Sequence, residues 1–342
     1  MNLPQKIGQL MCVGFDGMAF NDEMRGLIQD LRVGGLIVFE RNVGSRQALR
    51  QMIGDAQACA QACGLPRLFI GIDQEGGRVT RLRSATGFTE FPSAYDVANS
   101  PNPIRAVQQQ AQVMAGELRE VGININFAPV LDVNNNPDNP VIGNRSFGDD
   151  PILVSQLGAA YIEAMQAAGV MCVGKHFPGH GDVAVDSHLG LPSVPHNRER
   201  LEAIEFAPFK AAMHAGVGGI MSAHVSFPAI EPSGLPATLS FNVMTMLLRD
   251  EMGYDGLLFT DSLEMGALAT SGYPVPIAAA TALKAGADVM LFNSGEALHR
   301  AAHAEMLAWV QRGDIPQTRI DAAVQRVLQA KQKFIDVDLS SI

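Results

Sequence analysis

A chain of 342 residues, 47% hydrophobic and 18% charged, has apolar material for one large α/β barrel or two ordinary domains, which excludes the disordered and fibrous classes. Its formal net charge of −10 supplies no basic footprint for a phosphate backbone, so nucleic acid is not an expected partner. The N-terminal stretch MNLPQKIGQLMCVGF has one lysine, a short apolar run and no small-residue cleavage site. No apolar run reaches the length of a membrane span, so neither a signal peptide nor a membrane association is predicted. The cysteines are Cys12, Cys59, Cys63 and Cys172; the middle two have helical spacing and lack the second pair of a zinc site, which suits core residues in a reducing, cytoplasmic compartment.

Along the chain, short β-rich runs alternate with segments of helical periodicity. The runs cover 9–15, 34–40, 67–75, 123–133, 169–177, 216–224, 255–262 and 286–293. Near-continuous Ile, Leu, Val and Met in them suits parallel strands covered on both faces. Helices are predicted over 101–121, 151–168, 198–215 and 274–285, and several close on a glycine just before the next strand, at Gly122, Gly169, Gly216 and Gly286. Eight β/α units filling the chain predict a single (β/α)8 barrel of the TIM type, with a doubly wound open sheet as the alternative. No linker, repeat or low-complexity tract divides residues 1–342, so one catalytic domain without a second α/β domain is expected.

The barrel reading gives the polar residues a location, because active sites of that fold sit where strands pass into the βα loops. The runs end on Asp73 and Glu75, Asp132, Lys175 and His176, His224, Asp261 and Asn293. Titratable groups at so many ends of one rim favour a catalytic funnel. The richest segment is KHFPGHGDVAVDSH, residues 175–188, in which Pro178, Gly179 and Gly181 force an irregular loop. In extended backbone, Asp186 and His188 lie on one face, where the carboxylate can hold one imidazole nitrogen while the other meets a substrate. The plainer reading of the same residues is a turn with a surface histidine. His176, His180 and His188 with Asp182 or Asp186 offer metal-ligating side chains, but their spacing matches neither H-E-x-x-H nor a cysteine-rich signature, so no metal and no cofactor is predicted.

Five ordered motifs, GIDQEGGRVTRL (71–82), FAPVLDV (127–133), GNRSFGDD (143–150), KHFPGHGDVAVDSHLGLP (175–192) and LLFTDSLEMGAL (257–268), resemble glycoside hydrolase family 3, and within it the β-N-acetylglucosaminidases. The resemblance runs from about residue 5 to residue 333. It implies a (β/α)8 barrel and a retaining mechanism through a covalent glycosyl-enzyme. Asp261 matches the family's nucleophile, and Asp186 with His188 matches the pair serving as acid/base in the acetylglucosaminidase branch. Asp73, Arg81, Arg145, Lys175 and His176 match positions that hold the hydroxyls of the non-reducing sugar.

The chemistry of these side chains suits such roles. A retaining glycosidase needs a carboxylate nucleophile and a group that first donates and then accepts a proton. A histidine with an ordinary pKa near ~6.5 can do both close to neutral pH. Arginine and lysine donate several hydrogen bonds to hydroxyls and bias nearby carboxylates towards ionisation; the plainer reading of each arginine is a structural ion pair. Family members for glucose or xylose commonly carry a second α/β domain supplying the acid/base, and a tryptophan after the nucleophile. Here Ser262 follows Asp261 and the chain ends near the last barrel helix, which favours an N-acetylhexosamine, although Ser262 and Glu264 depart from close relatives. The single tryptophan, Trp309, lies in a C-terminal helical stretch, so a short oligosaccharide or a muropeptide of cell-wall recycling is expected, not a long polysaccharide. A family 3 glycosidase of other sugar specificity, a metal-dependent hydrolase built on the histidines, and a catalytically silent sugar-binding barrel are the competing readings. Oligomeric state and the choice of water or phosphate as acceptor stay open.

Overall fold

The structure is a computed structural model and describes residues 1–184, 190–293 and 295–335. The eight apolar runs form eight parallel strands in sequential order, closed into a barrel. These are β1 (Met11–Val13), β2 (Gly35–Val38), β3 (Phe69–Ile72), β4 (Ile125–Asn126), β5 (Met171–Phe177), β6 (Gly219–Ser222), β7 (Leu257–Ser262) and β8 (Val289–Phe292). Closure is made by β1 against β8, with Cys12 beside Leu291 and Val13 beside Phe292. Every residue of β2, β3, β6 and β8 is buried, as strands covered by helices outside and side chains inside must be. Glycines make room for aromatic rings in the interior: a Cβ on Gly71 would lie 2.6 Å from the Phe127 ring, and one on Gly219 would lie 2.9 Å from that of Phe259. Those two rings meet edge to face at 5.8 Å.

The helices are amphipathic or buried segments with conventional ends. Pro103–Glu120 and Pro151–Ala167 begin with proline in the first turn and are capped by the side chains of Asn102 and Asp150. Gly122 and Gly169 follow them with φ of 91° and 87°, a conformation that only glycine adopts without strain. Two expectations need correction. The run 123–133 is strand only at Ile125–Asn126, because Pro129 lacks the N–H that would continue the ladder; pairing to β5 resumes just beyond, where Leu131 N–H donates to the Lys175 carbonyl at 2.6 Å. The helix over 198–215 is two helices, Arg198–Ala203 and Ala207–His214, since Pro208 is tolerated in a first turn and not in a helix interior.

The N-terminal floor of the barrel contains its own buried charges. Asp288, immediately before β8, is fully buried and bonded to Arg249 at 2.5 Å, Arg326 at 2.9 Å and Arg319 at 3.4 Å. Lys331 is fully buried beside Gln9 Oε1 at 3.0 Å and lies 5.0 Å from the centre of the Phe69 ring. Among the described residues no helix is long and apolar enough to cross a membrane. All four cysteines are free.

Candidate active site

The C-terminal mouth of the barrel holds a cavity of about 230 Å³. Its polar wall comes from strand ends, as the alternation of apolar run and polar residue requires. Asp73 and Glu75 follow β3, Lys175 and His176 belong to β5, and Asp261 is the penultimate residue of β7. Arg81 enters from the loop after β3, and Arg145 closes a short 3-10 turn at Gly143–Arg145. Ile37, Met221 and Leu291 of β2, β6 and β8 supply an apolar wall.

A buried ionic chain crosses one side. Lys175, only 2% exposed, donates to Asp73 Oδ1 at 2.7 Å and lies 2.6 Å from Glu75 Oε1. Arg145 grips Glu75 with Nε and Nη2 at 2.9 and 2.8 Å, a fork-to-fork pair. Arg81 Nη2 stands 3.7 Å from the second Asp73 oxygen. Burial alone would raise the Glu75 carboxyl, but Arg145 and Lys175 outweigh it and hold the group far below the usual carboxylate range. The same carboxylates outweigh the burial of Lys175 and keep its ammonium charged. Arg145 and Lys175 are therefore ion-paired and face the cavity at once, so the ion pair that is the plainer reading of Arg145 does not remove its side chain from the cavity wall.

A second group fixes His176. Asp132, fully buried, accepts the His176 backbone N–H at 3.2 Å, the His180 backbone N–H at 2.7 Å and meets His176 Nδ1 at 2.7 Å. A carboxylate only accepts, so Nδ1 carries the proton, and Nε2 is left beside Arg145 Nη2 at 3.5 Å. Burial, and then the neighbouring His176, lower His180 to about 4.

Asp261 is partly exposed to the cavity, and its Oδ1 accepts the Ser262 N–H at 2.7 Å. Burial pushes its carboxyl up, but His176, His224, the Ser262 N–H and Lys175 together hold it below the ordinary value. It is an ionised carboxylate, suited to attack or to charge stabilisation and unsuited to donating a proton near neutral pH.

Of the residues singled out from sequence, Asp73, Arg81, Arg145, Lys175, His176 and Asp261 line one cavity. Asp186 and His188 lie outside the described residues. Among the described residues no group of three His, Cys, Asp or Glu side chains converges as a metal site; Asp182 is paired with His196 and with Arg200. Glu75 and Asp132 carry no assigned role in the sequence reading, yet they orient the arginine, lysine and histidine of the cavity. Glu75 was accessible to the same argument applied to Asp186 and His188, because Asp73 and Glu75 are also two apart. Asp132 was not, since its partner is 44 residues away.

Residues 2–330 match the glycosyl hydrolase family 3 N terminal domain. Beta-hexosaminidase A of Pseudoalteromonas piscicida is 38% identical over 333 residues, covering 91% of this chain and 55% of that protein. A beta-hexosaminidase of Alkalilimnicola ehrlichii is 41% identical over 300 residues, covering 85% and 82%. A solved structure, the family 3 β-N-acetylglucosaminidase of a Paenibacillus species, superposes with a TM-score of 0.95 at 44% identity over 99% of this chain and 64% of that one. The chain thus spans less than two thirds of the Pseudoalteromonas protein and of the Paenibacillus chain.

Proposed function

This chain belongs to glycosyl hydrolase family 3, and on that premise we propose that it is a retaining exo-β-N-acetylglucosaminidase acting on short oligosaccharides or muropeptides. The observation that carries the reading is Asp261, an ionised carboxylate at the end of β7 facing a cavity lined by hydrogen-bond donors. The cavity, at about 230 Å³, is below the ~300–1,000 Å³ of common ligand pockets, which suits a single terminal sugar ring. The names of the two curated relatives support a hexosamine, and that of the Paenibacillus enzyme supports its N-acetylated form.

In the proposed reaction Asp261 attacks the anomeric carbon, the bond to the leaving oxygen breaks, and that oxygen takes a proton from His188 oriented by Asp186. The product is an ester between the sugar and Asp261. A water molecule then gives its proton to His188 and attacks the same carbon, which releases Asp261 and restores the configuration. The roles of Asp186 and His188 rest on the family resemblance. Asp73, Arg81, Arg145, Lys175 and His176 hold the sugar hydroxyls; Glu75 and Asp132 keep Arg145, Lys175 and His176 in place. A cytoplasmic role in cell-wall recycling completes the reading, in keeping with four free cysteines.

The test is turnover of nitrophenyl β-glycosides of N-acetylglucosamine, glucose and xylose, with and without phosphate, followed by peptide mapping after a fluorinated N-acetylglucosamine inactivator. Preference for the acetamido sugar and a label on Asp261 are expected. No turnover of any β-glycoside, or a label on Asp73 or Asp132, overturns the reading.

A further inference from the structure

The β-ladder is interrupted on both sides of Asp261. Pairing of β6 with β7 stops at Ser222 beside Thr260, one residue short of it. On the other side, the register of β7 against β8 shifts between Phe259 and Ser262. Pairing with β8 resumes at Ser262, where the Leu263 N–H donates to the Leu291 carbonyl at 3.1 Å, so Asp261 itself sits in a gap between paired residues, open on its β6 side. His224 stands two residues beyond β6 and is 1% exposed. Its Nε2 is 2.8 Å from the Ser262 carbonyl oxygen. A carbonyl only accepts, so Nε2 carries a proton and donates it there. Its Nδ1 is 2.8 Å from Thr238 Oγ1, and that hydroxyl is tied in turn to Ser222 Oγ at 2.8 Å and to the Ala223 carbonyl at 3.0 Å.

We propose that His224 is a positioning residue for Asp261: by holding the Ser262 carbonyl from the β6 side, it pins the residue whose N–H is bonded to the Asp261 carboxylate. Ser262 is then fixed at both ends, its N–H on Asp261 Oδ1 at 2.7 Å and its carbonyl on the His224 ring. The ring bonds the Ser262 carbonyl on the side where β6–β7 pairing has ended, while the Met265 N–H reaches the same oxygen at 3.2 Å from within the loop; the Thr238 hydroxyl, itself held by Ser222, holds the ring. Among the described residues, the leading charged and titratable groups acting on the Asp261 carboxylate are His176 and Lys175 of β5 and His224 itself, and all three favour its ionised form. The inference rests on the reading of Asp261 as the nucleophile, but its effect on the carboxylate is measurable without turnover.

His224→Phe keeps a ring and removes both hydrogen bonds; His224→Gln keeps a donor that reaches Ser262. The Phe variant is expected to lose about 10²-fold in kcat on an N-acetylglucosaminide with little change in KM, and the Gln variant to recover about tenfold of that loss. The acidic limb of the pH profile moves to higher pH in the Phe variant. Independently of activity, the Asp261 carboxyl followed by selective carbon-13 NMR titrates at higher pH in His224→Phe than in the parent. If the Phe variant does not fold, Thr238→Val removes the hydroxyl that orients the ring, and the same two readouts move in the same direction by less. An inactive parent whose Asp261 titration still moves with His224 counts against the hydrolase reading and supports the positioning role. Parental kcat together with an unmoved Asp261 titration in a folded Phe variant overturns the role.

Discussion

At the N-terminal floor of the barrel one buried carboxylate, Asp288, is shared by Arg249, Arg319 and Arg326, whereas at the C-terminal mouth Asp73 and Glu75 share Lys175 and Arg145 on a cavity wall. The floor cluster ties the stretch Asn242–Glu251 and the helix Gln317–Ile335 to the start of β8. The mouth cluster ties βα loops to β5 and keeps its donors beside a space that a ligand can enter. Two lysines make the contrast sharper. Lys175 has two carboxylates and is held above its ordinary pKa against the effect of burial, while Lys331 faces Gln9 and an aromatic ring and is lowered by burial to about 7. Burial and ion pairing by themselves do not mark a site. The end of the barrel does, since Arg326 of the floor cluster also borders a cavity, of about 250 Å³.

The comparison breaks most directly at Asp261. Asp261→Ala should lower kcat by at least about 10³-fold while leaving the melting temperature close to that of the parent, because the carboxylate acts in the reaction and leaves no apolar cavity behind. Steady-state kinetics beside a thermal melt check both halves; a large loss of stability would move Asp261 into the structural class with Asp288.

Asp288→Ala should do the reverse. Three arginines would be left without their carboxylate, which costs about 3–5 kcal/mol of stability. Denaturant titration reads this, and kcat measured well below the melting temperature should stay within a few-fold of the parent. Loss of activity in a folded Asp288→Ala protein would mean that floor and mouth are coupled.

Glu75→Gln sharpens the mouth side. Loss of a charged partner for Arg145 and Lys175 should reduce kcat/KM by about 10²-fold. Glu75 is held below its ordinary value of 4.5, so the stability it contributes is fully present above that pH and fades as pH falls through the lower folded value. The melting temperature of the Gln variant should therefore depend less on pH on the acid side than that of the parent.

Lys331→Met probes the floor with the smallest effect. The folded lysine titrates at about 7 and the unfolded one at 10.5, so the unfolded state binds more protons between those values and parental stability rises with pH across that window. Below about 7 both states are charged and the slope disappears. The Met variant should lose the slope and gain about 1–2 kcal/mol at neutral pH. Melting curves at several pH values between 6 and 10 test this; an unchanged slope would mean that Lys331 stays charged in the fold through a partner stronger than Gln9.

Much of this molecule was legible in its residues. The eight apolar runs contain all eight strands, and the polar residues ending them lie at one rim, because a strand covered on both faces can change character only where it leaves the barrel. Six of the eight residues assigned to the site line one cavity for that reason, and Asp186 and His188 lie outside the described residues. The partners of those residues were not legible. Glu75 meets Arg145 across 70 positions, Lys175 meets Asp73 across 102, Asp132 meets His176 across 44 and His224 meets Ser262 across 38. Periodicity and composition report what each segment buries, which is a local property. Which carboxylate faces which cation depends on the order in which closure sets the strand ends around the mouth, and on where a ladder breaks off, as it does beside Asp261.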